Sequence, residues 1–150
     1  MHKTFVSSIE GLVQSRLAAV SADASIVDVA LLLSDPHIGL VIVCNADGAM
    51  QGVVSKTNIV QLISRHRDDI LPAVADELMT RDVTSCLPTT SLADVLSLME
   101  RRGFVNLPVV DEKLKPIGVV NAGDVFRTLL SAGKLDEAHL RDYVMGIGYG

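Results

Sequence analysis

The sequence of 150 residues lacks the features that mark several classes of protein. No apolar run approaches the roughly 20 residues that a membrane-spanning helix needs, and the opening MHKTFVSSIEG has no apolar centre of the kind a signal peptide carries. The 13 basic side chains are outnumbered by 18 acidic ones, so the net charge of −5 offers no positive field to a nucleic-acid backbone. We therefore expect a cytoplasmic protein with no membrane and no nucleic-acid partner.

The sequence also lacks the residue spacings of metal sites and catalytic centres. Cys44 and Cys86 are isolated, without CxxC spacing or nearby histidines, and are expected to be buried free thiols. The four histidines show no HxH or HExxH spacing, and no nucleophile with a base or pair of acid–base carboxylates stands out. The sequence therefore predicts neither a metal site nor an enzyme.

What the sequence does contain is a duplication. Apolar residues make up 49% of the chain, enough for a compact core, and a shift of 66 positions aligns residues 8–64 with 74–130 without a gap. In this register Ser-Ile-Val-Asp-Val at 25–29 falls on Ser-Leu-Ala-Asp-Val at 91–95, and both repeats reach a Gly-Val-Val motif. We expect two α/β repeats related by a pseudo-twofold axis, with these divisions: repeat 1 at 8–66, a linker at 67–73, repeat 2 at 74–133, and a C-terminal helix and tail at 134–150.

Each repeat carries two helix patterns. Ser25 and Ser91 each precede apolar residues at helical spacing and an early aspartate, a pattern typical of a capped amphipathic helix. Ser55 and Asn121, which are also capping residue types, precede a second apolar pattern in each repeat. The sequence therefore predicts one helix near the start of each repeat and one at its end.

Strand patterns lie between and before these helices. The β-rich runs 38–44 and 104–110 are each followed by a turn and by a second strand that ends in Gly-Val-Val, which indicates a hairpin. Short β-prone segments at 17–20 and 83–86 precede the first helix of each repeat. The sequence therefore predicts a three-stranded sheet with flanking helices in both repeats.

This organisation resembles the paired cystathionine-β-synthase (CBS) domains. The motifs that carry the resemblance are Gly-Val-Val-Asn-Ala-Gly-Asp at 118–124 and Gly-Phe-Val-Asn-Leu-Pro-Val-Val-Asp at 103–111. In that family the signature Gly-apolar-apolar-Ser/Thr-x-x-Asp joins the last strand to the last helix, and its acid binds the ribose hydroxyls of an adenine nucleotide. The resemblance implies this role for Asp124.

Residue chemistry is consistent with that role. A helix N-terminus stabilises a phosphate through its unpaired N–H groups, and the Asp124 carboxylate can accept from both hydroxyls of a cis-diol. Gly118 and Gly123 would allow the ligand to approach the backbone closely. The alternative is that Asp124 only satisfies the end of its helix.

The two repeats differ at the signature. Repeat 1 keeps the hydroxyl at Ser55 but has Asn58 in place of the acid, and because only one of the two polar atoms of an amide accepts, this site is expected to be weaker. In repeat 2, Asn121 stands where the family usually has Ser or Thr, and Asn106 where it often has a basic residue. These departures reduce the contacts available to phosphate.

The resemblance further implies that each ligand lies between the repeats, with its adenine against the first strand of the other repeat. For the Asp124 cleft it implies a wall made of Leu17, Ala18, Ala19, Gly39 and Leu40. For the Asn58 cleft it implies a wall made of Thr84, Ser85, Cys86, Val105 and Asn106. Lys56 and Thr57, at the start of a helix, are candidates for phosphate contact.

The expected function is that of a regulatory module whose ligand is AMP, ATP, NAD or S-adenosylmethionine, acting as an energy or redox sensor on an unknown regulated protein. A dimerisation module with degenerate pockets is the alternative, suggested by Asn58 and Asn121. We also expect a homodimer, because the short repeats offer more apolar helix surface than one small core hides. The helix stripes expected at its interface are Val29-Leu32-Leu33 and Val95-Leu98-Met99.

Overall fold

The computed structural model describes residues 4–66 and 69–133, and the predicted C-terminal helix and tail lie outside them. Repeat 1 contains β1 (Ala19–Ser21), α2 (Ile26–Leu33), β2 (Val41–Cys44), β3 (Met50–Val54) and α3 (Lys56–His66). Repeat 2 contains α5 (Leu92–Arg102), β4 (Asn106–Val110), β5 (Pro116–Asn121) and α6 (Ala122–Ser131). The segments at the start of the repeats are also helical: a 3₁₀ turn (Val6–Ile9) and α1 (Glu10–Ser15) at the start of repeat 1, and α4 (Ala75–Leu78) at the start of repeat 2.

The predicted helix starts are confirmed. The hydroxyls of Ser25 and Ser91 each accept from the backbone N–H three residues on, both at 3.1 Å. The Asn121 side chain caps α6 by accepting from Gly123 N at 2.9 Å. At the other end of α5, Gly103 adopts a φ of 72°, a conformation that glycine reaches at no steric cost.

The two sheets differ by one strand. In repeat 1, β1 runs parallel to β2 and β2 antiparallel to β3, whereas repeat 2 has only the antiparallel pair β4 and β5. The predicted strand at 83–86 is reduced to a single bridge between Cys86 and Val109. Proline explains this: Ile42 N donates to Ala18 O at 2.8 Å in repeat 1, but the corresponding residue of β4 is Pro108, which has no N–H.

The helical segments at the start of each repeat cross over to the other repeat, which the sequence did not indicate. Val6 and Val13 are buried in the core of repeat 2, and Ala75 and Met79 are buried in the core of repeat 1. Backbone hydrogen bonds hold both crossings: Val6 N to Thr90 O at 2.9 Å, and Ala75 N to Ala24 O at 2.9 Å. Each core is therefore completed by the first segment of the other repeat.

Glycines mark where these crossing segments touch the sheets. A Cβ on Gly118 would collide with the backbone carbonyl of Val13, and a Cβ on Gly52 would lie 2.6 Å from Thr80 O. The expectation that Gly118 admits a ligand is thus corrected, because α1 occupies its open face. Between the repeats, the sheets share an apolar cluster built from Leu40, Ile42, Val53 and Val119.

The apolar stripes that the sequence assigned to a dimer interface face inward. Val29, Leu33, Val95 and Met99 are fully buried because the small sheets need these helix faces as cover, and Leu32 and Leu98 pack against the same cores. The exposed apolar residues of α2 and α3 are instead Val27, Leu31, Val60 and Ile63. Across residues 4–66 and 69–133, no helix has the length and apolar character needed to cross a bilayer.

Candidate functional site

A cavity of about 370 Å³ opens between the two repeats. One wall is the end of β3 and the start of α3, where Ser55, Thr57 and Asn58 lie, and the opposite wall includes Thr84 and Val105. The volume falls within the roughly 300–1,000 Å³ typical of small-molecule sites. The apolar residues of the lining include Leu40, Val53, Val83, Phe104 and Leu107. The structure thus brings together much of the predicted Asn58 cleft.

Asn58 is held by four hydrogen bonds within the protein. Its Oδ1 accepts from the backbone N–H of Ser55 at 2.8 Å and from the Ser55 hydroxyl at 2.9 Å. Its Nδ2 donates to Leu78 O at 3.0 Å and to Thr80 Oγ1 at 3.2 Å. The side chain therefore ties the first turn of α3 to the crossing segment, and both acceptor positions of the amide oxygen are used.

Two charged residues, Asp82 and Arg102, lie at or beside this cavity. Among the described residues that line it, Asp82 is the only charged one, and within that part of the chain its side chain has no hydrogen-bond or ion-pair partner. Arg102 is not among the lining residues, but its Nη2 donates to Thr84 Oγ1 of the lining at 3.3 Å, and its guanidinium sits 5.8 Å from the Phe104 ring centroid. The site thus combines a free carboxylate on the wall with a guanidinium that is hydrogen-bonded to a lining residue.

The other residues predicted for the Asn58 cleft are divided between lining and core. Cys86 is a correction: its thiol packs into the core of repeat 2, 3.7 Å from Pro108 O, and burial raises its pKa to about 12. Since the bridge to Val109 directs it inward, Cys86 does not line the cavity, and Ser85 and Lys56 are not among the lining residues either. Of the wall predicted for the Asn58 cleft, the cavity is therefore lined by Thr84, Val105 and Asn106.

Gly39 and Leu40, which were expected to face Asp124, line the Asn58 cavity. The reason is the packing of Gly39 against Asn106, since a Cβ on Gly39 would lie 2.5 Å from Asn106 Nδ2. Asn106 in turn accepts from Asn121 Nδ2 at 3.0 Å. The two asparagines that depart from the family pattern are therefore partners of each other, and they link β4 to the start of α6.

Asp124 is buried, with 2% of its surface exposed, and both of its carboxylate oxygens have arginine partners. Arg16 donates from Nε to Oδ2 at 2.7 Å and from Nη2 to Oδ1 at 3.2 Å, and Arg127 Nη2 donates to Oδ1 at 2.7 Å. Burial alone would raise the pKa of Asp124, but the hydrogen bonds and charges of the two arginines outweigh it and hold the pKa below its usual value. The carboxylate is therefore ionised and satisfied by the protein itself.

Arg16, which contacts Asp124, immediately precedes Leu17, the first residue of the wall predicted for the adenine ring. Of that wall, Ala18 is buried in the core of repeat 1, while Leu17 and Ala19 are exposed. Arg16 was missed because its partner is distant in sequence. The duplication carried a signal: at the shift of 66, Arg16 aligns with Asp82, so the Asp124 cleft has a cation and the Asn58 cleft an anion at corresponding positions.

Comparisons with known proteins agree with this architecture. The family described as CBS domain matches the chain twice, at residues 6–65 and 74–131. The CBS domain-containing protein YhcV of Bacillus subtilis (strain 168) is 27% identical over 121 residues, covering 80% of this chain and 84% of that protein. CBSX2, solved in complex with AMP, is 25% identical, with a TM-score of 0.72 over 87% of this chain and 98% of that one. The CBS domain pair of protein MJ0100, solved with 5′-methylthioadenosine and S-adenosyl-L-methionine, is 21% identical, with a TM-score of 0.72 over 89% of this chain and 100% of that one.

Proposed function

Because this chain belongs to the CBS domain family and carries the domain twice, we propose that it is a regulatory module that binds an adenine nucleotide or a related adenosine derivative between its repeats. The observation that carries the proposal is the cavity of about 370 Å³ whose walls come from both repeats. The start of α3 in repeat 1 faces Thr84 and Asn106 of repeat 2 across it.

The lining suits the parts of such a ligand. Leu40, Val53 and Leu107 provide apolar surface for an adenine ring, while the N-terminal turn of α3 offers backbone N–H groups to an anion. Arg102, which donates to the lining residue Thr84, supplies a guanidinium that matches phosphate geometry. Two proteins of this fold, CBSX2 with AMP and the MJ0100 domain pair with two adenosine derivatives, support the ligand class.

A ligand in this position is suited to regulation. It contacts both repeats, so its binding free energy depends on how the repeats sit against each other, and binding shifts the population toward the arrangement that it favours. A partner protein that distinguishes the two arrangements then reads the concentration of the ligand. In this proposal the chain is an energy or redox sensor, and it catalyses no reaction.

A thermal-shift screen tests the proposal. The purified chain is heated with AMP, ATP, NAD and S-adenosylmethionine in turn, and GMP serves as the control for the base. A ligand at a hundred times its Kd that binds only the native state stabilises it by about 2.7 kcal/mol, which raises the melting temperature measurably. Thr84→Tyr, which places a ring in the cavity, should abolish the shift while the variant remains folded.

A second candidate function is dimerisation without a ligand. It is favoured by the hydrogen bonding of Asn58 and Asp124, whose side chains are both engaged within the protein. The exposed apolar residues of α2 and α3 offer a surface for a second copy of the chain. A folded protein that none of the four compounds stabilises, and that light scattering shows to be a dimer, would establish this alternative.

A further inference from the structure

The two clefts differ at one pair of corresponding positions. Where repeat 2 has Asp124 in its signature, Arg16 lies against it, and where repeat 1 has Asn58, the residue that corresponds to Arg16 is Asp82. From this difference we infer that Arg16 closes the Asp124 cleft to ligand and restricts the chain to one bound molecule, in the cavity beside Asn58. The inference rests on the proposed function and concerns which cleft performs it.

The first step of the argument counts acceptor positions on Asp124. An ionised carboxylate offers about four lone-pair positions. Arg16 occupies two with its fork of Nε and Nη2, and Arg127 occupies a third. A ribose diol needs two acceptors and only one position is left, so it cannot bind Asp124 bidentately while both guanidiniums stay. Arg127 is 69% exposed and can turn into solvent, but the Arg16 fork still lies against both carboxylate oxygens. The sequence-based role of Asp124 therefore requires at least one of its two ion pairs to break, and the ligand to fit beside Arg16 or displace it.

The second step concerns how firmly Arg16 is held. Its side chain is only 14% exposed, and its Nη1 also donates to His37 O at 3.0 Å. The neighbouring Ser15 Oγ lies 2.9 Å from His37 Nε2, which fixes the end of α1 to the same loop. A guanidinium with three protein contacts in a buried position is costly to displace, because its departure leaves the charge of Asp124 partly uncompensated.

The third step is the contrast with the other cleft. In the Asn58 cleft the residue that corresponds to Arg16 is Asp82, a carboxylate that lines the open cavity. The Asn58 amide donates to Leu78 O and Thr80 Oγ1. No described side chain spans this cleft in the way that Arg16 spans the other one. The same fold thus presents one cleft that its own arginine fills and one that is left for a ligand.

Isothermal titration of the full chain with AMP and, separately, with S-adenosylmethionine tests the inference through stoichiometry. The unmodified chain should bind one molecule. Arg16→Ala should acquire a second binding event, and Arg16→Ala with Asp124→Asn should lose it again while keeping the first. Arg81→Ala is the matched control, because it removes an arginine from an exposed ion pair with Asp76 and should leave the stoichiometry at one.

A reciprocal variant keeps the test decisive should Arg16→Ala fail to fold. Asp82→Arg with Asn58→Asp places the arginine–aspartate pair in the open cleft and should abolish binding by a folded chain. Two molecules per unmodified chain, one of them lost in Asp124→Asn, would overturn the inference and leave the proposed function intact. A single site in a folded Arg16→Ala, or undiminished binding by the reciprocal variant, would also overturn it. Absence of binding in every folded variant would instead overturn the proposed function, and this inference with it.

Discussion

The guanidinium of Arg16 binds both carboxylate oxygens of Asp124, which lies 108 residues further along the chain. Because Asp124 is 2% exposed and Arg16 is 14% exposed, the pair is shielded from solvent. Loss of Asp124 would leave the Arg16 charge uncompensated, and loss of Arg16 would leave Asp124 with Arg127 alone. The pair joins the connection between α1 and β1 to the first turn of α6. Its strength therefore bears on stability as well as on access to the cleft.

Asp124→Asn should lower the free energy of unfolding by about 3 kcal/mol near neutral pH, because Arg16 loses its counter-charge. The pKa of Asp124 is raised by burial but lowered more by Arg16 and Arg127, so the folded value lies below that of an unfolded aspartate, about 3.9. Its contribution is therefore complete above the unfolded value and is lost as the pH falls through the folded one. Urea unfolding at about pH 7 and about pH 3 should show the deficit of the variant shrinking in acid.

The matched control for this experiment is Asp76→Asn. Asp76 also pairs with an arginine, Arg81, at 2.7 Å, but the two side chains are 50% and 59% exposed. Exposed pairs contribute about 0–1 kcal/mol, so the control should be close to the parent at both pH values. A deficit of Asp124→Asn that is the same in acid as at neutral pH would contradict the assignment.

Asp82→Asn should strengthen the binding of phosphorylated ligands. The Asp82 carboxylate lines the cavity, and a phosphate placed about 7 Å away at an intermediate effective dielectric is disfavoured by about 1 kcal/mol, or roughly fivefold in Kd. Titration with AMP measures the gain, and unphosphorylated adenosine should change little. Asp47→Asn, which removes the same charge from a hairpin turn outside the cavity, should bind AMP as the parent does. Equal gains in both variants would assign the effect to net charge.

Gly118→Ala should destabilise the protein by about 1–3 kcal/mol, because the new methyl group meets the backbone of Val13, which cannot rotate away. Gly11→Ala, on the exposed side of α1, is the matched control. A Cβ on Gly11 meets nothing within 4 Å, so replacing glycine within α1 should stabilise by up to about 1 kcal/mol. Thermal unfolding of the two variants should move in opposite directions. A neutral Gly118→Ala would show that α1 does not pack on β5 in solution.

Cys86 should be unreactive toward iodoacetamide in the native protein. The thiolate is the reacting species, and burial raises the pKa of this thiol to about 12, whereas half-buried Cys44 has a smaller rise from the same cause. Mass spectrometry of alkylated peptides should find Cys44 modified first and Cys86 only after unfolding in urea. Modification of Cys86 at the rate of Cys44 would place it outside the core.

A homodimer should form through the exposed apolar residues of α2 and α3. Leu31 is 71% exposed and Ile63 is 46% exposed, in contrast to the buried stripes on the opposite helix faces. Leu31→Glu with Ile63→Glu should therefore yield a particle of 16.0 kDa in light scattering. Ser97→Glu, at the position of α5 that corresponds to Leu31, should remain dimeric. A monomeric parent at micromolar concentration would contradict the prediction.

Local patterns predicted the helices and hairpins well, because their causes lie within a few residues. Ser25 and Ser91 cap helices as their spacing indicated, and both Gly-Val-Val motifs lie near the end of a strand. The strand at Cys86 is reduced to a single bridge because Pro108 has no N–H to donate. The alignment contained Pro108, but its effect can be predicted only when the strand that pairs with it is known. Short-range rules therefore predicted which helices and strands form, whereas the length of a strand depends on its tertiary contacts.

The site was harder to predict because its contacts are long-range. The sequence around a carboxylate in a helix signature is the same whether that carboxylate binds a ribose or an arginine. Arg16 lies 108 residues before Asp124, so no local pattern links the two. The short helix α1 offered too few apolar positions to reveal that Val13 packs on Gly118. The sequence did contain one indication of these contacts, namely the difference in charge between aligned positions of the two repeats, such as Arg16 and Asp82.

The crossing of the helical segments has a consequence for how such a chain could arise. The core of repeat 1 includes Ala75 and Met79, and that of repeat 2 includes Val6 and Val13, so neither repeat closes its own core. A protein with a single repeat could obtain the same packing only by exchanging this segment with a second copy, as domain-swapped dimers do. Duplication within one gene then joins the two exchanging partners covalently, and allows each cleft to diverge by itself, one toward Arg16 and the other toward Asp82.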